Sequence, residues 1–124
     1  MTAVAPAEEA GYLSRAMSLV YEVNLWVDRA IAEQWLGWLD DHVARVLAAP
    51  GVLGATVFEV VQPTPPAGQR CWSVKYLMRD QAALDTYLAD HAPALRQEGI
   101  DRFGDAFRAE RRVLAPRKRF RAGD

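Results

Sequence analysis

The stretch Ser18–Val27, SLVYEVNLWV, followed by Asp28, decides the fold. Its odd positions Tyr21, Val23, Leu25 and Val27 are all apolar or aromatic, and its even positions Val20, Glu22, Asn24 and Trp26 are mixed. A period of two is that of a strand with one face on a core. Asp28 then stands where a helix N-cap would, its carboxylate able to accept first-turn amide hydrogens. Beyond it Ile31, Trp35, Trp38, Leu39, His42, Val43, Val46 and Leu47 fall on one helical stripe, which Pro50 and Gly51 stop. The same strand-to-helix passage recurs at Gln69–Met78 and Asp80.

Between the two units lies a further strand, expected at Val52–Val61. The segment Gln62–Gly68, with Pro63, Pro65 and Pro66, cannot pair in a sheet and is expected as a hairpin loop. After Asp80, Leu84, Tyr87 and Leu88 predict a second helix. Pro93 predicts a break near Ala92, because proline suits the first turn of a new segment and not a helix interior. The new piece is expected to run through Leu95 to about Glu98 and to end at Gly99, with Ile100 and Phe103 buried in a short link. The last strand is expected at Asp105–Leu114, before Pro116.

The order is β-α-β-β-α-β. Right-handed crossovers of these lengths give an α+β, ferredoxin-like βαββαβ plait, a four-stranded antiparallel sheet with two helices on one face. The expected organisation is an N-terminal extension over 1–16, a folded domain over 17–115 and a basic tail over 116–124. Met1 and Met17 are both plausible starts.

At 124 residues the chain suits one domain, and it can bury roughly two-thirds of its unfolded surface. The net charge is −1, yet Arg108–Asp124 holds seven basic residues against two acidic ones. Cys71 is the one cysteine, which excludes an intrachain disulfide and suits a cytoplasmic setting. No apolar run reaches membrane length, so no membrane partner is expected. Glycine-rich phosphate loops, paired-histidine metal spacings and nucleophile elbows are absent from the sequence, and no metal ligands are assigned.

A plait leaves one sheet face uncovered. Parity places Glu22, Asn24 and Trp26, then Thr56, Phe58 and Val60, then Arg108, Glu110 and Arg112 there. Ser73 and Lys75 join them if Trp72, Val74 and Tyr76 face the helices. Trp26, Phe58 and Val60 are too apolar for water, so a homodimer packed through this face is expected, with Arg108 and Arg112 in the same interface. Glu22 should pair with Arg108 or Lys75. His42 is expected as a boundary histidine bonded to a neighbouring carbonyl or carboxylate. His91 stands at the helix break, where a cation would suit the helix end. Arg96 and Arg102 either pair with Asp101 or Glu98, or hold a carboxylate or phosphate.

Three segments, YEVNLWVD at Tyr21–Asp28, DHAPALRQEGIDRFG at Asp90–Gly104 and ERRVL at Glu110–Leu114, resemble an uncharacterised bacterial domain-of-unknown-function family within the dimeric α/β-barrel superfamily. The resemblance runs from about Met17 to Leu114 and implies a fold and a dimer rather than a reaction. The superfamily includes quinone-type and haem-degrading monooxygenases. The latter use an Asn, a Trp and a His on the elements that here carry Asn24, Trp72 and His91.

Three functions follow as expectations. The first is a dimer binding a small anionic or aromatic molecule through Glu22, Asn24, Trp72, His91, Arg96 and Arg102. Its site lies between the second helix and the sheet or in the dimer cleft, and its cofactor is unknown. The second is a monooxygenase-like enzyme, which requires Asn24, Trp72 and His91 around one cavity. The third, least favoured, is nucleic-acid binding by the basic tail.

Overall fold

The computed structural model describes residues 18–123. The expected N-terminal extension, residues 1–16, lies outside the described residues. Four strands, β1 (Leu19–Asp28), β2 (Val52–Glu59), β3 (Gln69–Met78) and β4 (Phe107–Leu114), form one antiparallel sheet in the order β2-β3-β1-β4. Helix α1 (Ala32–Leu47) links β1 to β2, and α2 (Gln81–Asp90) with α3 (Ala92–Phe103) links β3 to β4. The fold is the ferredoxin-like α+β plait, with the second crossover split into two helices.

The split follows the sequence. His91 leaves helical geometry at φ −120°, and Pro93 occupies the first turn of α3, where a missing amide hydrogen costs nothing. Asp80 caps α2 as expected, accepting from the Ala83 amide at 2.8 Å. Asp28 caps nothing with its side chain. It closes β1, its amide donating to the Ala106 carbonyl at 2.9 Å, and a 3-10 turn at Arg29–Ile31 leads into α1.

Gly99 does not end the helix. Helix α3 runs on to Phe103 and stops at Gly104, whose φ of +57° lies in the left-handed region open to glycine. Gly99 serves a different end: a Cβ there would stand 2.8 Å from the Trp38 ring and 3.1 Å from Phe107. Its missing side chain lets α3 approach α1 and β4. Ile100, expected in the core, is 52% exposed, because the extended helix turns it outward.

The core lies between the helices and one sheet face. Tyr21, Leu25 and Val27 of β1 meet Trp72, Val74, Tyr76 and Met78 of β3 and Trp35, Leu39 and Val46 of α1. The register pairs Tyr21 with Tyr76, Val23 with Val74 and Leu25 with Trp72, so Trp72, Val74 and Tyr76 share the helix-side face. Phe107, Ala109, Arg111 and Val113 of β4 share it too, opposite Val27, Leu25, Val23 and Tyr21. After Leu114, residues 115–121 form no helix or strand.

Candidate functional site

Alternation separates two compartments. On the open face, Glu22 faces Lys75 across one strand pair and Arg112 across the other. Its carboxylate accepts from Lys75 Nζ, from the Arg112 guanidinium and from Asn24 Nδ2 at 2.8 Å. Only 1% of Glu22 is exposed. Its pKa falls to about 2, chiefly through Arg112 and then Lys75, against burial acting the other way. Of the two partners expected for Glu22, Lys75 is present and Arg108 is not. Arg108 instead lies over the Trp26 ring at 3.8 Å and donates to Glu110 at 3.1 Å. A cation above an indole face is attracted by the ring quadrupole. Beside this network Phe58 stays 46% exposed. The proline loop bounds a shallow cavity of about 180 Å³ with Asn24, Trp26, Val60 and Cys71. Burial pushes the Cys71 thiol pKa up, away from the reactive thiolate.

On the helix side lies a larger pocket of about 250 Å³, between the sheet, α1 and the α2–α3 pair. One end is walled by tyrosines. Tyr21 stacks on Tyr76 with ring centres 6.0 Å apart and meets Tyr87 at 5.9 Å. Arg96 donates to the Tyr21 hydroxyl at 2.8 Å. Burial pushes the Tyr87 phenol up to about 12 and raises that of Tyr76 as well, so both stay protonated. The other end is walled by Trp35, Trp38 and Phe107, with Trp35 and Phe107 centred 6.0 Å apart.

His42 stacks on Trp38 at 4.7 Å. Its Nδ1 is buried without a hydrogen-bond partner among the described residues, so the expected bond to a carbonyl or carboxylate is not made there. Burial lowers its pKa to about 4, Arg45 and Arg111 push the same way, and Glu98 opposes them. Glu98 is itself paired with Arg45. Arg111 of β4 reaches the pocket from the sheet and remains exposed, which sets it at the mouth. Among the described residues, none that lines the pocket is acidic.

The structure does not gather the six ligand candidates into one site. Glu22 and Asn24 belong to the open face. Trp72 is buried on the helix side against Trp35, 5.4 Å away, beneath Arg70. Arg96 lines the larger pocket. His91 stacks outside it on Tyr87, 6.3 Å away, at the α2–α3 junction. Arg102 lies over the Phe103 ring, its guanidinium carbon 5.2 Å from the centre, instead of pairing with Asp101 or Glu98. Asn24 and Trp72 both border the proline-loop cavity, whereas His91 lines neither cavity. Among the described residues no group of three His, Cys, Asp or Glu could hold a metal ion.

Arg111 and Trp35 were not singled out as binding residues. The signal for Arg111 was its parity. Counting by twos from Phe107 puts a guanidinium on the core side of an edge strand, where an aliphatic residue is the rule.

These features define a ferredoxin-like α+β plait with a pocket between helices and sheet. The chain belongs to a family described as a domain of unknown function (DUF4286), whose model matches residues 18–116. No curated protein sequence matches it. A conserved protein from Methanosarcina mazei Go1 superposes with a TM-score of 0.66 at 9% identity, over 86% of this chain and 99% of that one. SnoaB, a cofactor-independent oxygenase from Streptomyces nogalater, gives 0.60 at 14% identity, over 86% and 98%. An ethyl tert-butyl ether D (EthD) family protein from Bacillus halodurans gives 0.55 at 13%, over 76% and 96%. At these identities the likeness is one of fold.

Proposed function

We propose that the protein is a small cytoplasmic homodimer that binds a small aromatic or anionic molecule in the helix-side pocket. The observation that carries this reading is the lining of that pocket: aromatic walls at both ends, Arg96 and Arg111 beside them, and no carboxylate among the described residues that line it. Apolar walls with a few convergent polar groups are the usual make-up of a small-molecule site, and the volume suits a ligand of one or two rings. The dimer reading is supported by the open face, which carries the exposed Phe58 together with Val60 and Trp26, and by the resemblance to the dimeric α/β-barrel superfamily. Cys71, a lone buried thiol, suits a reducing compartment. A monooxygenase reading has less support, because Asn24, Trp72 and His91 do not line one cavity.

Native mass spectrometry of protein purified without added ligand tests both parts at once. The expected result is twice the chain mass, with a retained small molecule or with a melting temperature that rises on adding aromatic acids. A monomer would remove the second copy from the open face. A melting temperature indifferent to a broad panel of aromatic and anionic compounds, with no retained mass, would remove the pocket reading.

A further inference from the structure

The pocket contains polar groups that the fold leaves unused. Trp35 is wholly buried, yet its indole N–H has no acceptor among the described residues. An indole nitrogen can only donate. His42 Nδ1 is likewise buried and unpartnered. Arg111 differs from the other cations nearby. Arg45 is neutralised by Glu98, Arg112 by Glu22, and Arg96 is tied to the Tyr21 hydroxyl. Arg111 makes no hydrogen bond or ion pair among the described residues, although its charge is felt at His42, Tyr76 and Tyr87.

The neighbours of Arg111 on every packed element share one polarity. Helix α1 contributes a neutral His42, α2 contributes the protonated Tyr87, and α3 contributes Arg96. The sheet contributes Tyr21 and Tyr76. Glu98, the nearest acid to act on His42, is held by Arg45. A guanidinium is a planar fork that matches a carboxylate with two parallel N–H donors. The pocket behind it is walled by rings and is small for a drug-sized ligand.

We propose that the pocket takes a one- or two-ring aromatic carboxylate, with the carboxylate on Arg111 at the mouth and the rings between the tyrosine wall and Trp35–Trp38. This rests on the pocket reading above and adds the chemical class. Arg111 acts as the residue that selects an acid over its neutral analogue.

Isothermal titration calorimetry on the full chain separates the two readings. The three probes are naphthoate, naphthalenemethanol and naphthyl phosphate, which share rings and differ in charge. Charge-assisted hydrogen bonds predict that naphthoate binds the wild type at least about tenfold more tightly than the alcohol. Arg111→Met should abolish most of that preference and leave the affinity for the alcohol unchanged. Arg111 is exposed and makes no ion pair among the described residues, so the variant should fold. Equal binding of acid and alcohol by the wild type would overturn the carboxylate assignment and leave the pocket reading standing. Tighter binding of naphthyl phosphate than of naphthoate would also overturn the assignment. Failure of all three to bind would take both readings down. Loss of acid and alcohol in equal measure in Arg111→Met would show that Arg111 merely shapes the pocket.

Discussion

Replacing Glu22 with Gln keeps the shape of the side chain and removes the charge on which Lys75 and Arg112 converge. The carboxylate titrates near 2 in the folded chain against an ordinary 4.5. At about 1.4 kcal/mol per unit, that difference corresponds to about 3 kcal/mol of stability at neutral pH. Breaking a fully buried pair costs about 3–5 kcal/mol, because the abandoned charge stays buried. Here Arg112 is 66% exposed and Lys75 is 41% exposed at their side chains, so both can return to water. Glu22→Gln should therefore lose about 2–3 kcal/mol, a drop on the order of 10 °C in melting temperature for a domain of this size. The sign with pH follows from a folded pKa below the unfolded one. The contribution is complete above about pH 5, is lost as pH falls through 4.5 toward 2, and should shrink to under about half by pH 3. Urea unfolding of both chains at pH 7 and pH 3, at one protein concentration, measures it. His42 also titrates in this range, but it is common to both chains and cancels in the difference. A gap equal at the two pH values, or one under about 1 kcal/mol at pH 7, would refute the assignment of the stability to this carboxylate.

The His42 imidazole, followed by NMR against pH, should titrate near 4 instead of 6.5. Because the folded form resists protonation, this group costs stability as pH falls from 6.5 through 4, and a midpoint near 6.5 would place it in water instead. Gly99→Ala should destabilise the fold by about 1–3 kcal/mol, since its Cβ would meet Trp38 and Phe107, and this outweighs a helix-propensity gain of about 1 kcal/mol. A thermal melt that moved upward would mean that the two rings yield freely.

The strand faces were legible because alternation is a property of the sequence alone. Tyr21, Val23, Leu25 and Val27 announced the core side of β1, and Asp80 and Pro93 marked the start and the break of the second crossover. What pairs across strands was less legible. Glu22 meets Arg112 and not Arg108 because the register sets Arg112 opposite Glu22 and Arg108 opposite Trp26, while α3 runs on to Phe103 and β4 begins at Phe107. That extension hinged on Gly99, which looked like a helix stop. Its role as a contact point for Trp38 belongs to packing between α1 and α3, and no local pattern carries such a contact.

The six expected ligand residues scattered for a related reason. They were grouped by chemical type, whereas a site is made by side chains that share a compartment. In a half-covered sheet, parity assigns the compartment before chemistry does. Glu22 and Asn24 have open-face parity and satisfy one another there with Lys75 and Arg112, which leaves that network little left to offer a ligand. Arg111 has the opposite parity and stands on an edge strand, where the helices leave Val113 46% exposed and Ile100 of α3 52% exposed. A cation on the core side of a sheet is costly unless something neutralises it or water reaches it. At Arg111 water reaches it through the pocket mouth, and the same opening that keeps the charge hydrated in the free protein is the path by which an acid could replace that water.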